Sequence, residues 1–266
     1  QDEAVLGQLE EQDFAVANQC RYIKRFGHYP VYRNTDVTFY PEAAEGLAAQ
    51  LRDLASAEHF ILMEYHAIEE AEAFGRIKEV LAERAAHGVK VRLFYDDVGS
   101  IGFIDPGFIK RMEAIGVECR VFNPVLPILN IFMNNRDHRK ITVVDGKIGY
   151  TGGYNLADEY FNITHPYGTW KDTGIRLAGD AVASLTVTFL QMWNATAEAD
   201  REFQAYFPQL DYHAEDTGFV QPYADGPLTD GYFAEDVYLN LIKSAKHFFY
   251  AATPYLIISD DMMREL

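Results

Sequence analysis

Cysteine is scarce in this chain: only Cys20 and Cys119 occur among its 266 residues. Two widely spaced thiols build no disulfide framework, and they fit a reducing compartment. Long apolar runs are missing too. No stretch reaches the roughly 20 residues that a membrane-spanning helix needs, and Gln1 opens no signal peptide, so the chain reads as soluble. Basic residues are few, with 23 Lys and Arg against 40 Asp and Glu and a formal charge of −17. Nucleic-acid binding rests on Lys and Arg clusters against phosphates, so no nucleic-acid partner is expected. What is present is a chain 48 % hydrophobic, enough at this length for one large α/β domain or two small ones.

Apolar periodicity alternates between the helical and the strand repeat. Residues 2–26 suit a helix with Leu9, Val16 and Ile23 on its apolar face and Gly27 as its stop. A short strand at 36–40 precedes Pro41, which opens a helix carrying Leu47, Leu51 and Leu54 at helical spacing. Strands at 60–65, 89–95, 117–122 and 173–177 are separated by helices at 69–87, from Pro106 to Gly116, and at 180–194. This succession implies βαβ units: an α/β fold with a mainly parallel or mixed sheet covered by helices on both faces. Residues 196–216 are acidic and irregular, a candidate linker. Beyond them Ser244-Ala245-Lys246-His247-Phe248-Phe249-Tyr250 echoes Ser56-Ala57-Glu58-His59-Phe60-Ile61-Leu62, as if a second copy of the opening unit begins.

The chemistry concentrates in Asn135-Arg136-Asp137-His138-Arg139-Lys140-Ile141-Thr142-Val143-Val144-Asp145-Gly146, followed by Thr151-Gly152-Gly153-Tyr154-Asn155. As a strand, this stretch puts His138, Lys140, Thr142 and Val144 on one face and Arg139, Ile141, Val143 and Asp145 on the other. An imidazole can attack phosphorus, and an ammonium one strand step away can hold phosphate oxygens where negative charge builds up. Gly152 and Gly153 ahead of Asn155 suit a tight turn that aims backbone N–H groups and an amide at the same anion. Glu64 and His66 end a buried strand on one face with Leu62, at the sheet edge where α/β proteins place ligands. The adjacent Asp96 and Asp97 diverge on a strand with no His or Cys beside them, and read as a turn before Gly99 and not as metal ligands.

These residues resemble the HKD motif of the phospholipase D superfamily, and the longer stretch NNRDHRKITVVDGKIGYTGGYNLADEY is similar to its bacterial cardiolipin synthase branch. Ile61-Leu62-Met63-Glu64-Tyr65, residues 93–100 and Trp170-Lys171-Asp172-Thr173 extend the likeness, which runs from about Val31 to the C-terminus. The resemblance implies a phospholipase D-like repeat with His138 as nucleophile or general acid and Lys140 as phosphate clamp. Asp145 completes the motif and fixes local backbone, while Asp172 orients the imidazole. Asn155, Gly152, Gly153 and Glu64 are the expected substrate-binding positions. It further implies that no metal or nucleotide cofactor is needed, since His and Lys supply nucleophile, acid and charge.

The expected division is a helical segment at 1–30, a first phospholipase D-like domain at 31–195, the linker at 196–216 and a truncated second repeat at 217–266. The spacing of the echo puts a second motif well past Leu266, so the expected partners are a second HKD half in cis or in trans, an anionic phospholipid (phosphatidylglycerol) and a membrane surface. The branch implies a bacterial cell membrane location through an anchor outside this chain. The implied reaction joins two phosphatidylglycerols into cardiolipin and glycerol through a phosphohistidine. Hydrolysis to phosphatidic acid, a dimeric single-motif nuclease and a non-catalytic lipid-binding half are the alternatives. The apolar segment 124–133, with Ile128 and Phe132, is expected either to pack beneath the sheet or to line an acyl groove or dip into the bilayer.

Overall fold

The computed structural model describes residues 2–125, 135–197, 203–226, 233–253 and 255–266. The chain forms two units: one joins Gln1–Arg33 with Phe219–Leu266, the other spans Asn34–Gly218.

The single helix expected over the first residues is two. Helix α1 (Asp2–Gln12) stops before Asp13, whose carboxylate accepts the Ala15 and Val16 N–H groups at 3.0 and 3.1 Å and starts α2 (Phe14–Gly27). A side-chain cap satisfies amides that the first turn leaves orphaned, and here it breaks the run. Helix α2 then ends at His28 in the left-handed region, φ 62°.

The second unit carries the sheet. In chain order come β1 (Thr35–Tyr40), α3 (Ala43–Ala55), β2 (Phe60–Tyr65), α4 (Glu72–Ala86), β3 (Lys90–Asp96), α5 (Phe108–Ala114) and β4 (Val117–Phe122). Then follow β5 (Lys140–Val144), β6 (Ile148–Gly152), β7 (Gly174–Gly179) and α6 (Val182–Thr196). The seven strands lie in the order β1-β7-β6-β5-β2-β3-β4. β2, β3 and β4 run parallel, as right-handed crossovers through α4 and α5 require, and the remaining pairs are antiparallel, so the sheet is mixed.

Alternation sends Ile61, Met63 and Tyr65 with Val91, Leu93 and Tyr95 into a core with Leu47 and Leu54 of α3, Phe74, Ile77 and Leu81 of α4, and Phe108 of α5. The opposite face is covered by α6, where Trp193 stacks on Phe189 at 5.6 Å and meets Phe94 at 6.3 Å. Each fully buried Leu or Phe contributes about 1.5–3 kcal/mol, so this two-sided burial is what holds the site rigid.

The segment at 196–216 is not a free linker where it is described. Tyr206 is buried edge-on against Phe60 at 5.0 Å. Tyr212 donates to Asp36, its carbonyl accepts from Asn34 Nδ2 at 2.9 Å, and the Asp216 N–H bonds Asp36 at 2.7 Å. This stretch therefore belongs to the sheet unit, while the first 30 residues fold with the last ones.

In that other unit α7 (Phe233–Ser244) buries Phe233 against Gly27, and Gln221 bonds the carbonyls of Cys20 and Tyr29 at 3.0 and 2.9 Å. The strand expected after Lys246 does not form. Phe248 and Tyr250 stay exposed, since a strand needs a neighbour to pair its backbone, and α8 (Asp260–Glu265) closes the chain.

Candidate active site

β5 runs antiparallel to β2, with Lys140 opposite Tyr65, and β3 runs parallel to β2. The N-terminal end of β5 therefore lies at the C-terminal edge of β2 and β3. The end of β6 and the start of β7 reach the same edge, through Gly152 opposite Gly174. His138, Lys140, His66, Asp96, Gly153, Asn155 and Asp172 all gather at this one edge, with Glu64 behind them. Asp145 does not.

Lys140 begins β5 and is 6 % exposed. Its Nζ donates to the His138 carbonyl at 2.7 Å and faces His138 Nδ1 at 3.2 Å. An ammonium only donates, so Nδ1 accepts and a neutral His138 keeps its proton on Nε2. Burial drives the Lys140 pKa down to about 8, against the pull of the Asp137 and Asp172 charges. Burial first, then the Lys140 charge and the neighbouring His66, bring His138 down to about 4, with Asp96 opposing. A ring held neutral keeps a lone pair at neutral pH, and an ammonium beside it is placed for an anion.

His138 itself stands two residues ahead of β5, outside the ladder that the alternating pattern assigned it to. Side chains hold that segment instead. Asp96, 0 % exposed, accepts the Asp137 N–H at 2.9 Å, the Gly99 N–H at 2.9 Å and Arg136 at 3.3 Å. His66 Nδ1 lies 2.7 Å from the Asp137 carbonyl, and its ring sits 4.6 Å from that of His138.

Glu64, expected to meet substrate, is 0 % exposed and sits behind the edge, ion-paired to Arg139 at 3.5 Å. Its Oε2 and Asp137 Oδ2 are buried with no other partner, and the two carboxyls meet. Burial and the Asp137 charge raise Glu64 well above its ordinary value, and burial raises Asp137 as well, so the two carboxyls share a proton across their contact.

Gly152 and Gly153 serve a different purpose from the anion-binding turn expected of them. Neither has positive φ, and the Gly153 N–H is committed to the Thr173 carbonyl at 3.1 Å. They make room: a Cβ on Gly152 would lie 2.5 Å from the Thr173 carbonyl, and one on Gly153 would overlap Asp172. Asp172 accepts from Thr173 N at 3.0 Å and Trp170 Nε1 at 3.3 Å, and its charge acts on Lys140.

Asn155, 3 % exposed, is spanned by protein partners, with Oδ1 accepting the Ala67 N–H at 3.1 Å and Nδ2 donating to Tyr160 at 2.9 Å. Asp145 lies at the far end of β5 in the left-handed region, φ 52°, and accepts the N–H groups of Glu58, His59 and Phe60, each at 2.8 Å. It anchors the entry to β2, as its strand face suggested, and takes no place beside His138.

Asp96 forms the turn to Gly99 that the sequence implies, but its hold on the Asp137 N–H was not legible there, nor were the roles of Asp137 and of the buried trio Gln50, Tyr65 and Thr142, in which Gln50 Nε2 donates to Tyr65 at 2.9 Å and Thr142 at 2.8 Å. The usable signal was position: Asp96 ends β3 beside the end of β2. Ile128 and Phe132 of the apolar segment lie outside the described residues.

Residues 51–193 match the family described as cardiolipin synthase, PLD-like domain. The chain belongs to this branch of the phospholipase D superfamily. The chain is 39 % identical over 265 residues to an uncharacterised protein of Streptococcus mutans, covering 100 % of this chain and 57 % of that one. It is 34 % identical over 263 residues to a cardiolipin synthase of Staphylococcus aureus strain Mu50, covering 95 % of this chain and 53 % of the relative. The chain thus spans about half the length of the curated relatives it matches. Among solved structures, the phospholipase D family member Nuc from Salmonella typhimurium aligns with TM-score 0.46 and 18 % identity, over 64 % of this chain and 100 % of that one. Among the described residues, no helix of this PLD-like domain or of the accompanying unit is long and apolar enough to cross a membrane.

Proposed function

We propose that the chain is one catalytic half of a phosphatidyltransferase that joins two phosphatidylglycerols into cardiolipin and glycerol. The observation that carries this reading is the pairing of His138 with Lys140, whose Nζ stands 3.2 Å from the imidazole Nδ1 and 2.7 Å from the His138 carbonyl. The low imidazole pKa, about 4, favours His138 as nucleophile over acid.

In this reading Lys140 turns from Nδ1 to the phosphate oxygens when lipid binds, and water carries the Nε2 proton round to the freed Nδ1, which leaves the lone pair on Nε2. Nε2 then attacks phosphorus, the N–P bond forms, and the P–O bond to glycerol breaks. Glycerol leaves with a proton from the acid of a second half-site, supplied in cis or in trans. A hydroxyl of the second phosphatidylglycerol then attacks phosphorus and gives its proton to that same group. Cardiolipin departs and the imidazole is restored. Sequence similarity to cardiolipin synthases supports transfer to a lipid alcohol over transfer to water.

The test supplies phosphatidylglycerol in mixed micelles and, separately, a p-nitrophenyl phosphodiester whose leaving group departs without a proton. Cardiolipin and glycerol, or a His138-dependent burst of nitrophenolate from the activated ester, is the expected result. Phosphatidic acid without cardiolipin assigns hydrolysis. Activity that survives His138→Ala, or no reaction with either substrate, overturns the reading.

A further inference from the structure

The reacting imidazole is seated on another histidine. His66 follows β2 and reaches the Asp137 carbonyl with Nδ1 at 2.7 Å. A carbonyl only accepts, so the His66 proton lies on Nδ1. That carbonyl belongs to the residue directly before His138, in a stretch with no ladder hydrogen bonds of its own. On its other side the His66 ring is wedged by Gly99: a Cβ there would lie 2.7 Å from its Cε1 and Nε2 and 2.3 Å from its carbonyl. The glycine is in turn tied to Asp96, which also accepts the Asp137 N–H. His66 is thus held at Nδ1 and packed over Gly99, and its ring lies 4.6 Å from the His138 ring at 53°.

We propose that His66 is the positioning residue for His138, setting the main chain at Asp137 and the plane of the imidazole that meets phosphorus. The proposal rests on the reading of His138 as the reacting group. A ring held between a carbonyl acceptor and a glycine floor has one orientation, and orientation of a nucleophile is worth rate: a displacement of about 1 Å costs on the order of a hundredfold. The charged and titratable groups that face His138 are Lys140 from β5, His66 from the end of β2 and Asp96 from β3, so a change at His66 also reaches the His138 titration.

The experiment compares three variants of the protein. His66→Asn keeps a donor near the Nδ1 position, His66→Phe keeps a ring and loses the donor, and Gly99→Ala keeps the histidine but fills its floor and displaces the ring. Side-chain ¹⁵N spectra of histidine-labelled protein, assigned with His138→Ala, report the His138 tautomer and titration midpoint without requiring turnover. The wild type is expected to show one His138 tautomer with the proton on Nε2. With that hold lost the main chain at Asp137 shifts and the Lys140 contact to Nδ1 loosens, so His66→Phe and Gly99→Ala are expected to give a tautomer mixture, with kcat down about 10- to 100-fold from misplacement of the ring and KM little changed. His66→Asn is expected to restore the single tautomer and most of kcat. An unaltered His138 spectrum in folded His66→Phe and Gly99→Ala, or Asn no better than Phe, overturns the proposal. Should the spectra change as stated while the wild type turns over no phosphodiester, the positioning stands and the functional reading fails.

Discussion

Gly153 and Asp172 occupy each other's space: a Cβ on Gly153 would lie 1.8 Å from Asp172 Oδ1 and 2.7 Å from its Cγ. The glycine is therefore what admits a carboxylate next to Lys140. Its charge raises the lysine pKa against burial. Gly153→Ala is expected to displace that carboxylate, cost about 1–3 kcal/mol through overpacking, and lower the alkaline limit of activity. Asp172→Asn should lower the limit without the clash, and combining the two should shift it no further. A pH–rate profile for the three variants checks this.

Lys140 and His138 bracket the working pH. With His138 brought down to about 4 and Lys140 to about 8, the proposed reaction loses its nucleophile to protonation on the acid side and its phosphate clamp to deprotonation on the alkaline side. A bell between these values is expected. Lys140→Arg should lower the rate while abolishing the alkaline limb, because guanidinium stays charged. An unchanged limb in that variant would assign it to another group.

The raised Glu64 pKa makes stability depend on pH. The folded chain keeps a proton that the unfolded chain releases above the ordinary carboxylate range, so stability is full below that range and falls as pH rises toward the folded value. Glu64→Gln, whose amide can donate to Asp137 in the place of the proton, should remove most of this slope. Asp137, itself raised by burial, leaves a shallower slope of the same sign. Denaturant midpoints from pH 5 to 8 measure it.

Asp145 separates structural from chemical roles within the motif. Asn tolerates its left-handed backbone but cannot accept all three N–H bonds. Asp145→Asn is expected to cost about 1–3 kcal/mol while kcat stays near wild type. A kcat loss as deep as that of His138→Ala, in a variant that remains folded, would return Asp145 to the reaction.

Much of this architecture was legible in the order of residues. Dense apolar runs at β2 and β3 gave buried strands because only burial on both faces tolerates them. Leu47 and Leu54, or Phe74, Ile77 and Leu81, gave helices because their spacing gathers them on one side, and all are buried. The mixed sheet follows from the same pattern, since β5, β6 and β7 are joined by connections without a crossover helix. Asp13 was missed as a helix break because a cap is a single side chain accepting two local N–H groups inside an otherwise helical stretch. The segment at 196–216 was misread because its anchors, Tyr206 and Tyr212, find their partners far back in the chain, at Phe60 and Asp36.

By itself the sequence determined which chemical groups this protein gathers in its motif: an imidazole and an ammonium two residues apart, with a glycine pair behind them. That spacing is local, and covalent geometry carries it. Only the tertiary structure decided what surrounds them. Antiparallel pairing of β5 with β2 sends His138 to one sheet edge and Asp145 to the other. Parallel pairing of β2 with β3 sets His66 and Asp96 beneath the Asp137 backbone, across separations of 71 and 41 residues. Such contacts are fixed by strand register and not by any local pattern, so they exist only once the sheet has formed.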